Sequence, residues 1–485
     1  MKEKSLGLNA LLNSLQSLLN LIFPLITFPY VSRVLSVDGV GKYNFANSIV
    51  SYFLLLAALG ISTFAVREGA KVRDDREKIS IFASRIFTIN LLSMLCSYLL
   101  LFLVLIIFPA LHEYTIAILI FSVQIFFTTI GTDWVYIIFE EYGYITTRNI
   151  IFKVVSILLL FIFVRHSGDY LNYVIITVVA SSGSYILNYF HTKKYCDIKI
   201  DIHFNWKEYL IPILTIFAST IAIQIYVNSD TTLLGLLKNN YLVGIYSTSS
   251  KIYTIVSQIL TAMLTVTIPR LAMLMGKSKF NEYNKTLHRL VNMLVFTILP
   301  GVIGLFMLSK EVILIIAGTK YTKSTSSLQI LCFAILSAPL SMTFNQCALI
   351  PAKREIKTLI SSSVSAVMNI GINFLLIPIL AENGTALTTV LSQFTMMFMN
   401  FYFSRDIVGF IFKEKLFWVN FCKQLGGCIG ICILCMVCQL YLKSLILNLV
   451  LSVMGSIIVY ALIELGLRNS VALSLFQSIK QYFRK

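Results

Sequence analysis

Five ionisable residues lie inside long apolar stretches of the sequence: Arg85, Asp133, Lys153, Asp230 and Lys251. A charge at the centre of a lipid bilayer costs at least about 2.5–3.5 kcal/mol, so such residues usually face a polar cavity or a partner. Arginine binds phosphate oxygens through paired hydrogen bonds, whereas lysine binds them as a point charge. Because three cations stand against two carboxylates, the set has a net charge of +1 and suits an anionic, phosphate-bearing ligand.

The same five residues also admit a structural interpretation. Asp230 and Lys251 lie at similar depth on consecutive stretches, so they can form an ion pair. Asp133 and Lys153 lie at similar depth as well and can pair in the same way. Arg85 and Lys153 lie one to two turns from the ends of their stretches, so their long side chains can reach the lipid head groups. The sequence leaves both interpretations open.

A second set of charged residues lies at or near the ends of the stretches. Glu140 follows Asp133 by seven residues, so we expect both on one helix face, with Tyr136 nearby, as a polar stripe at the inner mouth of a cavity. A solvated helix end explains Glu140 equally well. The other members are arginines: Arg33, Arg67, Arg148 and Arg270.

About fourteen apolar stretches carry these residues, and each is long enough to cross the roughly 30 Å hydrocarbon core of a bilayer. The hydrophobic content of 57% and the mean hydropathy of +0.83 exceed those of soluble domains. The chain is therefore predicted to be an all-α membrane protein. The predicted spans cover residues 8–31, 43–66, 80–108, 115–139, 148–164, 170–190, 210–236, 244–268, 289–308, 325–349, 358–380, 384–404, 420–441 and 445–467.

Positive charge is distributed unevenly about these spans. Of the 39 Lys and Arg, 30 fall on the side that holds the N-terminus, 8 on the other side, and Lys251 lies within a span. Because basic loops stay in the cytoplasm, both termini are predicted to be cytoplasmic. The net charge of +17 is explained by these loops and by anionic lipids, so no nucleic-acid partner is predicted. We expect a multi-pass protein of the bacterial cytoplasmic membrane.

No motif indicates catalysis or a cofactor. The sequence contains no phosphate-binding glycine loop, HExxH motif or nucleophile elbow. Four cysteines follow helical spacing within 428–438, but one straight helix cannot surround a metal ion tetrahedrally, so we expect them to pack as small apolar groups. They are Cys428, Cys432, Cys435 and Cys438. The chain is therefore predicted not to be an enzyme, and whether H⁺ or Na⁺ couples to its activity stays open.

An internal repeat organises the chain. The segment VGKYNFANSIVSYF at 40–53 aligns with VGIYSTSSKIYTIV at 243–256, which places Gly41 on Gly244 at an offset of 203. The offset corresponds to six spans, an even number, so two six-helix lobes of equal orientation are predicted, related by an axis along the membrane normal. Two prolines, Pro24 and Pro29, favour a bend in the first span.

The predicted organisation has four parts. They are a first lobe at 1–190, a cytoplasmic linker at 191–209, a second lobe at 210–404, and the last two spans with a basic tail at 405–485. Two six-helix lobes around a central cavity are typical of transporters.

Segments of both halves resemble the Wzx-type oligosaccharide flippases of the polysaccharide transporter family, within the superfamily (MOP) that also holds MATE exporters and the lipid II flippase MurJ. In the first half they are FPYVSRVLSVDGVGKYNFANSIVSYF at 28–53, GISTFAVREGAKVRDD at 60–75 and DWVYIIFEEYGYITTRNIIFK at 133–153. In the second half, NSDTTLLGLLKNNYLVGIYSTSSKIY at 228–253 is similar. In MurJ-like flippases, arginines of the first two spans line the cavity, whereas Arg33 and Arg67 lie at helix ends here.

The resemblance implies a MATE/MurJ-like fold that moves an undecaprenyl-pyrophosphate-linked oligosaccharide from the inner to the outer leaflet by alternating access. It also implies surface polysaccharide biosynthesis, such as that of O-antigen, as the pathway, with a polymerase and glycosyltransferases as partners. Two alternatives are weighed against it. An ion-coupled exporter of small cationic molecules would need excess carboxylate in its cavity, and a membrane glycosyltransferase or polymerase would need catalytic carboxylates on a sizeable loop.

Overall fold

The computed structural model describes the backbone of residues 6–482 and most of their side chains, and within this range it is helical and has no β-strand. The predicted all-α membrane fold is confirmed. The basic N-terminal start and the end of the basic tail, at 1–5 and 483–485, lie outside the described residues. The chain forms two compact units, Met1–Gly244 and Ile245–Lys485.

The first unit is built mainly from ten α-helices. They are α1 (Leu6–Val34), α2 (Val37–Ala58), α3 (Ile61–Gly69), α4 (Arg76–Ile107), α5 (Thr115–Ile130), α6 (Asp133–Ile138), α7 (Tyr142–Phe163), α8 (Tyr170–Ser182), α9 (Tyr185–His191) and α10 (Trp206–Leu237). Pro24 and Pro29 both lie within α1. Because α10 packs against α2 and α3, it belongs to the first unit, and the lobe boundaries predicted at 191–209 stay a prediction.

The second unit begins within α11 (Asn240–Gly276). Seven α-helices follow in its described part: α12 (Phe280–Met307), α13 (Ser309–Ile316), α14 (Ser324–Thr343), α15 (Glu355–Lys413), α16 (Lys415–Tyr441), α17 (Leu445–Gly466) and α18 (Ser470–Tyr482). The longest, α15, contains a kink at Ala381, whose φ of 50° and ψ of −126° are not helical. The kink falls between the two spans predicted at 358–380 and 384–404.

Ten helices of the described part are long and apolar enough to cross a membrane, or eleven if the bent pair Asn240–Leu264 and Thr267–Gly276 forms one span. Their outward faces carry large apolar side chains, as lipid contact requires. Every predicted span coincides mainly with helix, although three are broken: 43–66 between α2 and α3, 115–139 between α5 and α6, and 170–190 between α8 and α9. The exact number of fourteen spans stays a prediction.

Candidate functional site

Asp133 and Arg148 form a buried ion pair within the first unit. The Nη2 of Arg148 lies 2.9 Å from Oδ1 of Asp133, and only 2% of the Arg148 side chain is exposed. Asn188 joins the pair, because its Nδ2 donates to Asp133 Oδ1 at 3.1 Å and its Oδ1 accepts from Arg148 Nη1. The rings of Tyr144 and Tyr185 lie 5.8 and 5.3 Å from the guanidinium. The pair, with Arg148 buried and Asp133 one third exposed, therefore holds α6, α7 and α9 together.

The break before α6 places Asp133 in this network. Thr132 adopts a left-handed conformation with φ of 40°, so α5 ends at Ile130 and Asp133 opens a new short helix. The side-chain amide of Asn188 donates to the freed carbonyl of Gly131 at 2.9 Å. Asp133 is then aimed at Arg148 of α7, and the predicted pairing of Asp133 with Lys153 is wrong.

Glu140 lies outside the helix that carries Asp133. Because α6 ends at Ile138 and Glu140 has a φ of 54°, the expectation that Asp133 and Glu140 share a helix face is wrong. Glu140 instead lies 2.8 Å from Nη1 of Arg73. The hydrogen bond to Glu140 raises the pKa of Arg73. This ion pair therefore joins the segment between α3 and α4 to the turn between α6 and α7.

Lys153 lies beside the proline-containing helix α1. Its ammonium group is 5.7 Å from the ring centre of Phe23, directly before Pro24 in the chain. Lys153 is half-buried on α7, and α7 packs along α1. A cation–π contact holds the ammonium group without neutralising its charge. Lys153 therefore lies where α1 and α7 pack against each other.

Arg85 is bound to the segment that follows α9. Its Nε lies 3.2 Å from Oδ2 of Asp201, its Nη1 donates to the Tyr209 hydroxyl at 3.2 Å, and Phe204 lies under the guanidinium. The pKa of Asp201 is lowered, first by the backbone N–H of His203 and then by Arg85. This candidate residue therefore anchors a connecting segment.

The extended residues 195–205, here called the strap, lie along α4. Alternate strap N–H groups, of Asp197, Lys199 and Asp201, donate to hydroxyls four residues apart on the helix: Ser80, Ser84 and Thr88, at 3.0, 3.0 and 2.9 Å. The two periods match, because two extended residues span about 6.6 Å and four helical residues about 6.0 Å. The strap is thus bonded to the first unit along most of its length.

Asp230 is buried on α10 among hydroxyl groups of the first unit. Only 6% of its surface is exposed. The Tyr52 hydroxyl lies within its electrostatic range and 3.2 Å from Thr232 Oγ1, which in turn donates to Ser48 at 3.0 Å. Asp230 therefore lies where α2 and α10 pack against each other.

Lys251 is exposed on α11 in the second unit, although it lies within a predicted span. It has no ion-pair partner among the described residues of that unit. Thr254 and Gln258 follow at three and seven positions and are also exposed, so the three side chains form a polar face on an apolar helix. The Asp230–Lys251 pair stays a prediction, because its members belong to different units.

The remaining candidate arginines lie at the surface near helix ends or bends. Arg33 is exposed in the last turn of α1. Arg67, in the last turn of α3, donates to Glu68 at 3.0 Å. Arg270 is exposed directly after Pro269 of α11.

The sequence analysis missed three buried carboxylic acids, Glu311, Glu382 and Glu464, which are 8%, 9% and 0% exposed. Glu464 ends a series of polar residues spaced by four along the last predicted span, and this spacing was the signal that would have found it. Glu311 accepts from Gln439 Nε2 at 3.1 Å. Both acids line the contacts of the last two predicted spans.

The second unit also contains an apolar cavity of about 550 Å³. Residues of α12 and α17 contribute to its lining, among them Gly301, Gly304 and Tyr460.

The chain is similar to proteins of polysaccharide export. The family described as "polysaccharide biosynthesis protein" matches residues 6–275. A candidate O-antigen transporter of Escherichia coli (strain K12) is 24% identical over 52% of this chain, and the match spans 61% of that protein, less than two thirds of its length. The capsular polysaccharide biosynthesis protein CapF of Staphylococcus aureus is 23% identical over 78% of this chain and 93% of that protein.

A solved structure shares the fold. The lipid II flippase MurJ, in an inward closed conformation, superposes with a TM-score of 0.76 over 94% of this chain and 99% of that chain, at 15% identity. The predicted MurJ-like fold is confirmed.

Proposed function

Because the chain belongs to the polysaccharide biosynthesis protein family, we propose that it is a flippase for a lipid-linked oligosaccharide. The substrate is an oligosaccharide on undecaprenyl pyrophosphate, which moves from the inner to the outer leaflet of the bacterial cytoplasmic membrane by alternating access. Both termini lie in the cytoplasm. Glycosyltransferases supply the substrate and a polymerase consumes the product during surface polysaccharide synthesis.

The observation that carries this proposal is the exposed cation on a membrane-spanning helix. Lys251 has no ion-pair partner among the described residues of its own unit and is flanked by exposed hydroxyl and amide groups that can bind sugar or phosphate oxygens. A half-buried cation in the first unit, Lys153, lies beside the ring of Phe23. By contrast, Asp133 and Arg148 neutralise each other. The available charge therefore suits a pyrophosphate rather than a cationic drug.

The experiment replaces Lys251 by Gln and by Arg in cells that depend on this gene for surface polysaccharide. A hydrogen bond to a charged group contributes about 1.5–3 kcal/mol, so Lys251→Gln should lower surface polysaccharide at least about tenfold. Lys251→Arg should keep most of it. The lipid-linked oligosaccharide should accumulate inside the Lys251→Gln cells.

The matched control is Lys279→Gln. Lys279 is exposed next to Glu282, with a 3.0 Å ion pair, in a predicted cytoplasmic loop. This variant should leave polysaccharide unchanged. Normal polysaccharide from Lys251→Gln and Lys153→Met, with both proteins present in the membrane, would overturn the substrate role of these cations. Export of small cations instead of oligosaccharide would favour the exporter alternative.

A further inference from the structure

The buried residues of α17 are its polar ones. Asn448, Ser452, Ser456, Tyr460 and Glu464 recur every four residues and are 0–8% exposed. The apolar residues between them, such as Ile446, Val450 and Ile457, are more than half exposed. The stripe extends over about 24 Å at 1.5 Å per residue, most of the thickness of a hydrocarbon core. A helix with this inverted pattern places a polar seam inside the protein.

Neighbouring helices pair with most of this seam. At one end, Asn448 Nδ2 lies 3.5 Å from Glu311 Oε1. In the middle, Ser452 donates to Asn448 at 3.0 Å, and Ser456 lies 3.7 Å from the Cys435 sulfur. Further along, the Tyr460 hydroxyl donates to the carbonyl of Phe296 at 3.0 Å. The hydroxyls and amides of the stripe therefore have partners on α12, α13, α16 or α17 itself.

Glu464 is the exception. Its side chain is fully buried, and neither carboxyl oxygen has a hydrogen-bond partner among the described residues. The acid lies against Gly427 of α16, where a Cβ would come within 2.8 Å of Oε1. The absence of a side chain at Gly427 thus makes room for the carboxyl group.

The side chains of Asn469 and Lys423 compensate the Glu464 carboxylate only in part, because the burial of the acid outweighs them. Lys423 of α16 is the cation within electrostatic range, but its ammonium group donates to the carbonyl of Arg468 at 3.1 Å. The Asn469 side-chain amide, before α18, is the nearby donor to Glu464, but its 3.3 Å hydrogen bond goes to the carbonyl of Asn420. The other titratable neighbours, Tyr460 and Cys428, carry no positive charge. Neither α12 nor α13 places a charged side chain within range of Glu464.

We propose that Glu464 is a proton-binding site in the seam of α16 and α17, distinct from the substrate cations Lys153 and Lys251. A buried carboxylate whose nearby donors, Lys423 and Asn469, bond to backbone carbonyls is costly, and binding a proton removes its charge. A metal ion would need several converging ligands, and the described residues contain no group of three or more His, Cys, Asp or Glu side chains that could hold one. The acid and the polar stripe above it have the chemistry of a proton relay.

The test uses dicyclohexylcarbodiimide, which reacts with protonated carboxyl groups in apolar surroundings. The full-length protein in lipid nanodiscs is treated between pH 6 and 9, and modified residues are identified by mass spectrometry. We expect Glu464 to be modified at pH 7, with modification falling as the pH rises, and Glu464→Gln to abolish this signal. Glu113, whose side chain is 54% exposed and paired with Lys42, is the internal control and should stay unmodified.

Two results would overturn the proposal. Failure of the reagent to modify wild-type Glu464 at any pH in this range would show an ionised or inaccessible acid. Protection by sodium chloride, but not by choline chloride, would show a sodium site instead. Because the labelling needs no transport and no substrate, its failure is distinct from failure of the flippase proposal.

A second measurement asks whether the proton is used. Glu464→Gln keeps the shape of the protonated acid but cannot release a proton, so it should insert normally and lower surface polysaccharide at least fivefold, while Glu464→Asp keeps part of it. Full polysaccharide in Glu464→Gln cells would exclude a proton cycle at this residue.

Discussion

Gly41 and Gly244, which lie 203 positions apart, make the same contact in opposite directions. The Cα of Gly41 packs on the carbonyl of Asn240, and the Cα of Gly244 packs on the carbonyl of Val37. Because Val37 and Asn240 are also 203 positions apart, the beginnings of α2 and α11 are related by a local two-fold axis. The repeated VG-x-Y segment therefore lies where the beginnings of α2 and α11 pack against each other.

Replacing either glycine by alanine should destabilise the protein. A Cβ at Gly41 would overlap the Asn240 carbonyl, and a Cβ at Gly244 would overlap the Val37 carbonyl, so the backbone itself would have to move. Overpacking of this kind typically costs about 1–3 kcal/mol. We expect Gly41→Ala and Gly244→Ala to lower the temperature at which the detergent-solubilised protein loses its monodisperse peak, by similar amounts.

The matched control is Gly371→Ala in α15, where a new Cβ meets nothing within 4 Å. Alanine is favoured over glycine in a helix by about 1 kcal/mol, so this variant should be as stable as the native chain or more so. Equal stability of Gly41→Ala and Gly371→Ala would contradict a tight contact at Gly41.

Removing one partner of the Asp133–Arg148 pair should be more harmful than removing both. Arg148→Met leaves Asp133 without its cation, which for a buried pair costs about 3 kcal/mol, the lower end of the range because Asp133 is one third exposed. The double variant Asp133→Asn, Arg148→Met should recover part of this loss, as measured by thermal stability in detergent. A double variant that loses the sum of both single losses would argue against direct coupling.

The helices could be predicted from the sequence, but their side-chain partners could not. Apolar runs of membrane-spanning length identify helices directly, whereas the offset of 203 indicated a repeat but not the contact of Gly41 with Asn240. The position of Asp133 along its predicted span indicated its depth in the membrane, but it did not indicate which residue Asp133 contacts. The break at Thr132, a residue with no strong turn preference, turned Asp133 toward Arg148 instead of Lys153. Such choices depend on how helices pack around one another.

Glu464 shows the opposite difficulty. One acid near the end of a strongly apolar span resembles a solvated helix end, and the four-residue spacing from Asn448 becomes meaningful only when the buried face is known. Lys251 was identified because it is the one basic residue in the predicted span 244–268. Its exposure on α11 could not be deduced without the fold.

The strap should depend on the hydroxyls of α4. Thr88→Val removes the acceptor for the Asp201 N–H while keeping the side-chain shape, and an average hydrogen bond contributes about 1 kcal/mol. The Asp201 amide should then exchange with deuterium about fivefold faster. Thr88→Ser keeps the hydroxyl and should leave the exchange rate close to that of the native protein. Unchanged exchange in Thr88→Val would show that the strap is held by other contacts.

Acid should release the strap at Asp201. The pKa of this carboxyl group is lowered by the His203 N–H and by Arg85, so the contribution to stability is fully present above the ordinary Asp pKa of about 3.9 and is lost as the pH falls through the lowered value. The His203 amide, corrected for its intrinsic rate, should be equally protected at pH 7 and pH 5 and lose protection below about pH 4. Asp201→Asn should lack this acid step. An acid step retained in that variant would assign it to another group.

The most direct measurement uses the purified chain in liposomes that contain a fluorescent oligosaccharide on undecaprenyl pyrophosphate, with dithionite added outside to destroy the accessible dye. If the chain is a flippase, the native protein should expose the inner-leaflet share of the lipid, so that nearly all fluorescence is lost. Liposomes with Lys251→Gln should lose only the outer-leaflet share. Persistent inner-leaflet fluorescence with the native protein, under each ion gradient and membrane potential applied, would contradict flipping by this chain.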